Sequence, residues 1–291
     1  LGALTWTSLC AATNWYFAVG TNSAVDVSTY MTADYGLCAD KSDRFLVFDS
    51  GDYTVDNIQL RDVARTGVTS AIYVDTGLLK VVGSIAAGGN VDSDGVFAVR
   101  GGTVTAASMA LGGGTGSNAD YTLSSGTVTI AGGMTIGAGA TSSNYILISG
   151  GAMTVTGSTN IGGGASSSTV MDLSGTGSYL FANRINAGTN SYSSTTINLT
   201  GNSKMQALNN TATIGLGASN YAHATMNVGG SAIVSTSAEM YLGQADFSHA
   251  TLSMTGGSVT VANNLRVGRS NTTSGTISMT DGYINTTNLI V

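Results

Sequence analysis

Apolar and polar residues alternate in short runs along most of this chain. In "TVTI" (127–130), Val128 and Ile130 face one way and Thr127 and Thr129 the other. The same period recurs in "TVTA" (103–106), "AMTV" (152–155) and "SVTV" (258–261). A period of two is that of a strand with one buried face. No window carries a sustained helical stripe, and helix caps before apolar 3.6-periodic runs are missing. The pattern predicts an all-β chain of many short strands.

The runs are themselves repeated. Gly-rich anchors fall at Ser50, Thr76, Gly101, Ser125, Gly150, Gly175, Gly201, Gly229, Gly256 and Asp281, with spacings of 24 to 28 residues. Each unit holds three apolar runs. The first follows the anchor. The second ends in an aliphatic residue and glycine, as in Leu111-Gly112, Ile136-Gly137 and Ile161-Gly162. The third leads to the next anchor, as in "YTLSS", "YILIS" and "TINLT". No single unit can bury its apolar face alone, so neighbours must cover it. The expected fold is a parallel β-solenoid over 50–291, about ten coils of ~25 residues with three short strands each. Rungs ~4.8 Å apart give a rod of about 45–50 Å. Val104, Val128 and Met153 are expected in one inner column, and Leu111, Ile136 and Ile161 in another. Thr105, Thr129 and Thr154 form an outer column that the anchor spacing continues with Tyr179, Met205 and Ile233. A threonine array of three coils reads as strand propensity rather than as an ice-ordering surface.

Composition supports this reading. Apolar residues make up 42% of the chain, which permits a core and argues against disorder. Only 9% are charged, and there is no proline, which would interrupt a strand that donates on both sides. The net charge of −6 and the lack of a basic stretch argue against nucleic acid as a partner. No apolar run reaches the ~18 residues of a membrane-spanning helix. The chain starts at Leu1, as an exported protein does after signal-peptide removal. In that setting Cys10 and Cys38 are a natural disulfide pair, with two buried thiols as the alternative. Such a bridge would add ~3–4 kcal/mol.

The stretch "SGGAMTVTGSTNIGGG", recurring as "TGGSVTVANNLRVGRS", resembles the G-G-x-[VL]-T-V…-[LI]-x-[IV]-G repeats of secreted bacterial β-solenoids, including autotransporter-passenger-like surface proteins. The resemblance covers about 50–291. It implies a secreted or cell-surface location. Members are mostly adhesins, stalks and structural passengers, and no β-barrel translocator segment is read at the C-terminus here.

The two ends differ from the repeat. Residues 1–49 carry Trp6, Trp15, Tyr16 and Phe17, and read as a cap over the first coil that also docks a second subunit. At the other end "DGYINTTNLIV" stops inside a coil, with Leu289, Ile290 and Val291 apolar and no cap after them. A second copy is the simplest cover, and stacking one end on the other is heterologous, giving a head-to-tail filament. A non-covalent extracellular fibre subunit is therefore expected. A monomeric adhesin that binds glycans or surfaces is the alternative.

Catalytic chemistry is sparsely provided. Glu239 is the only glutamate, and no nucleophile elbow appears. Neither an enzyme nor a cofactor is expected. His223 and His249 occupy equivalent third-run positions, but no cysteine or carboxylate cluster joins them at repeat spacing. "NVDSDG" places Asn90, Asp92, Asp94 and Gly95 as the start of a calcium loop, yet Gly101 stands where the bidentate glutamate belongs. An Asx-type turn is the reading preferred there.

Overall fold

A computed structural model describes residues 15–17, 44–48, 52–55, 57–60, 69–89, 91–92, 94–209 and 211–291. Over residues 71–290 the chain winds about nine turns of a parallel β-solenoid, with no helix among the described residues. Every strand pairing is parallel, each strand bonding to its counterpart one coil away.

Three ladders result. In the first, Leu79, Val104, Val128, Met153, Leu180, Met205, Val234 and Val259 stack in register and are buried. The second stacks Leu111, Ile136 and Ile161 as expected, continuing into Ala187, Leu216 and Leu242. The third stacks Ile72, Phe97, Tyr121, Ile146, Met171, Ile197, Met226 and Leu252. The alternation seen in sequence thus becomes one continuous apolar core running along the axis.

Two details differ from the pattern's simplest reading. The first and second runs join into single strands at Leu78–Ala87, Thr103–Leu111, Ala152–Ile161 and Thr176–Ala187. A register shift of one residue absorbs the bend, as between Val81 and Ser84. Secondly, the outer threonine column does not continue with Tyr179, Met205 and Ile233. Thr154 pairs with Phe181, then Gln206 and Ser235 follow, while Met205 points into the core. Two extra residues between Leu173, which pairs with Ile148, and Tyr179, which pairs with Ala152, displace the chain relative to the anchor count. Tyr179 instead aligns with Ala152, Lys204 and Ile233.

The ladder also reaches back across residue 50. Arg44–Phe48 pairs in register with Ser70–Val74, and Trp15–Phe17 pairs with Leu46–Phe48.

The corner before each third strand has its own conformation. Asp92, Thr141, Ser166, Tyr192, Tyr221 and Phe247 all adopt positive φ, between 53° and 59°. Gly116 holds the same position with φ 70°. A buried serine follows at several of these corners and closes the turn onto the carbonyl three residues back. Ser117 Oγ donates to Gly114 O at 2.7 Å, Ser193 Oγ to Asn190 O at 2.7 Å, and Ser248 Oγ to Ala245 O at 2.6 Å. These bonds stabilise a backbone region that L-residues otherwise avoid by ~1–2 kcal/mol. Close approach sets other corners: a Cβ on Gly139 would lie 1.8 Å from Gly114 O, and one on Gly164 2.0 Å from Gly139 O.

Candidate functional site

The last coil is built differently from those inside. Its strand, Ser274–Ile290, pairs along its length with His249–Val267 and with no other strand among the described residues. Its outer edge is therefore a row of unpaired main-chain groups. The inner columns continue onto it but lose their cover. Leu265 is 1% exposed, whereas Leu289, its partner in the next rung, is 58% exposed. Tyr283, Ile290 and Val291 are exposed as well. At the other end of the ladder stand Trp15, Tyr16 and Phe17, in the strand bonded to Leu46–Phe48. Trp6, Cys10 and Cys38 lie outside the described residues. Of the expected interface residues, Trp15–Phe17 thus lie at the start of the third ladder and Leu289 and Ile290 at the far end of the second.

A lateral feature was not expected. The positive-φ corner turns Tyr192, Tyr221 and Phe247 outward in three successive coils, where they are 62%, 41% and 46% exposed. Their rings stack with centroids 5.0 Å apart at both steps and planes within 8°. His223 and His249 follow two residues after Tyr221 and Phe247, and their rings stack as well. The signal was present in "NYAH" and "DFSH", which share a place in the repeat. The outward direction comes from the corner conformation, which hydrophobic periodicity does not encode.

A groove of about 460 Å³ opens on the third ladder, lined by Asp94, Val96, Asn118, Asp120, Ser143, Tyr145 and Val170, among others. Asn118 Nδ2 donates to Asp94 Oδ1 at 2.8 Å. Desolvation, and then the Asp94 carboxylate, push the Asp120 acid above its usual range. Of the loop read as a calcium-binding start, Asn90 lies outside the described residues. Asp92 forms the corner, its N–H donating to Thr115 O at 2.9 Å, and Asp94 opens the strand that borders the groove. Both are thus engaged in turn and ladder.

Glu239 is also engaged. The Tyr241 hydroxyl donates to it, Asn264 Nδ2 donates to Oε1 at 2.5 Å, and Arg266 Nη2 stands 3.2 Å away. The Tyr241 bond first, then the Asn264 amide and Arg266, hold its acid below the usual range. Three donors on one carboxylate across one coil form a structural tie. Among the described residues no group of three or more His, Cys, Asp or Glu is placed to hold a metal ion. No helix among them is long and apolar enough to cross a membrane. No protein-family model matches this chain, and no curated protein and no solved structure matches it.

Proposed function

We propose that the chain is a structural rod of an extracellular or cell-surface assembly, and that rods join head to tail into a non-covalent fibre. What supports this is the repeated register: strand after strand bonds in parallel to its counterpart one coil away, so a face such as Ser274–Ile290 offers the same ladders and inner columns to a further rung. A rung that covers it must have the same cross-section and the same three inner columns. A second copy of this chain supplies such a rung, since every coil here repeats that cross-section. Main-chain bonds across the joint and burial of Leu289 and Ile290 would then hold the fibre. The low charge leaves little repulsion between stacked subunits. Sedimentation velocity at rising concentration tests the reading, with Leu289→Asp beside the wild type. Concentration-dependent growth that the variant loses supports end-to-end joining. A wild type that stays monomeric, or a variant that assembles equally well, refutes it.

A monomeric adhesin is the second reading, favoured by the groove at Asp94–Tyr145. It has an apolar side in Val96 and Val170 and a polar side in Asp94, Asn118 and Asp120, which suits a sugar ring. The stacked column Tyr192–Tyr221–Phe247 suits it less, because the rings cover one another's faces. A glycan panel distinguishes the two readings.

A further inference from the structure

His223 and His249 are direct partners in successive rungs of the third ladder. Their rings lie parallel within 11°, with centroids 4.9 Å apart. Both side chains are exposed, and among the described residues neither ring makes a hydrogen bond. The residues above and below in the same column are Ser194 and Ser274, so no charged group continues the stack. The carboxylate in the adjoining corner, Asp246, accepts through Oδ1 from Ser270 Oγ at 2.6 Å and from Thr272 Oγ1 at 3.2 Å. Two unengaged imidazoles therefore stand side by side on a backbone that fixes their separation.

We propose that His223 and His249 together chelate one divalent transition-metal ion, with water in the remaining coordination positions. Imidazole nitrogen suits copper, nickel and zinc, and with no carboxylate or thiolate at the site affinity rises from nickel to copper. Metal–nitrogen distances of ~2.0–2.1 Å set the two nitrogens about 3 Å apart in a cis arrangement. The stacked rings hold equivalent nitrogens farther apart than this. Binding therefore tilts the rings toward each other, which exposed side chains allow. The parallel ladder keeps the two Cα atoms in place, so the second nitrogen binds as an intramolecular partner.

The test is calorimetric titration of the 291-residue chain with nickel chloride, and then with copper chloride. His223→Gln, His249→Gln and the double variant are titrated beside the wild type. Thermal unfolding of each variant should match the wild type, since both side chains are exposed. The expected result is one ion per chain, copper tighter than nickel, and binding at least about tenfold weaker in either single variant. Imidazole resonances of both residues should move together. The proposal is overturned if the wild type binds no tighter than the double variant. It is equally overturned if two ions bind per chain and each single variant keeps one of them at full affinity.

Discussion

Asn198 donates from Nδ2 to Oδ1 of Asp172 at 2.7 Å, across one coil of the solenoid. The bond is one step of a longer ladder. Asn227 Nδ2 donates to Asn198 Oδ1 at 2.7 Å, and the Tyr145 hydroxyl donates to Asp172 Oδ2 at 2.7 Å. Four side chains in four coils thus tie the outer face along the axis, with Asp172 accepting from both Tyr145 and Asn198. Asn198→Ala breaks two of these bonds and is expected to lower stability by about 1–2 kcal/mol. Urea unfolding followed by circular dichroism measures it. No change in midpoint would mean that water replaces the amide without loss.

Tyr121 carries a fully buried hydroxyl with no hydrogen-bond partner among the described residues. Its ring stacks on Phe97 with centroids 6.0 Å apart, so the ring belongs to the core while the oxygen does not. Burial also raises the phenol's ionisation well above its ordinary range. Tyr121→Phe removes an unsatisfied polar atom and keeps the packing. Stability is expected to rise by about 1 kcal/mol, seen as a higher unfolding temperature. A lower temperature would show that the hydroxyl holds a buried water.

Much of this architecture was legible in the sequence, and the reasons are local. The columns Val104–Val128–Met153 and Leu111–Ile136–Ile161 follow from a period of two placed at a fixed distance from a Gly-rich corner. The outer column beyond Thr154 was misplaced because the two extra residues between Leu173 and Tyr179 leave the glycine anchors looking regular. Arg44–Phe48 pairs in register with Ser70–Val74, yet no Gly-rich anchor precedes it and its four consecutive apolar residues do not alternate, so periodicity gave no sign of that pairing. The stacked Tyr192, Tyr221 and Phe247 depend on a left-handed corner closed by serines such as Ser193 and Ser248. Turn chemistry of that kind leaves no trace in hydrophobic periodicity. Of the expected end residues, the exposure of Leu289, Ile290 and Val291 is described, and Trp15–Phe17 is placed in the ladder.

Gly139 tests how closely the corners stack. Its missing side chain leaves room for Gly114 O, which an added Cβ would approach to 1.8 Å. The backbone at Gly113 and Gly114 cannot yield without parting the coils. Gly139→Ala should destabilise by about 3 kcal/mol or more. Gly177, with φ 83° and nothing within 4 Å of an added Cβ, is the control. Gly177→Ala should cost only about 1 kcal/mol, from backbone strain. Equal losses at the two sites would contradict close coil packing at the Gly139 corner.

Glu239 makes stability depend on pH. Its acid is held below the unfolded value by Tyr241, Asn264 and Arg266, so the tie stabilises the fold when the carboxylate is ionised. The contribution is complete above the unfolded range near 4.3 and is lost as pH falls through the lower folded value. Because the group is half-buried, its size is about 1 kcal/mol. Glu239→Gln should therefore be less stable than wild type at pH 7, with the gap closing below about pH 4. A gap that stays constant from pH 7 to pH 3 would show that charge on Glu239 plays no part.

Electron microscopy of the 291-residue chain at rising concentration, without denaturant, tests end-to-end joining most directly. The account predicts unbranched fibres one solenoid wide, with an axial repeat near a single rod of about 50 Å. Leu289→Asp should leave only single rods on the same grids. Isolated rods from the wild type at every concentration would contradict the account and move the search for function to the lateral groove and the aromatic column.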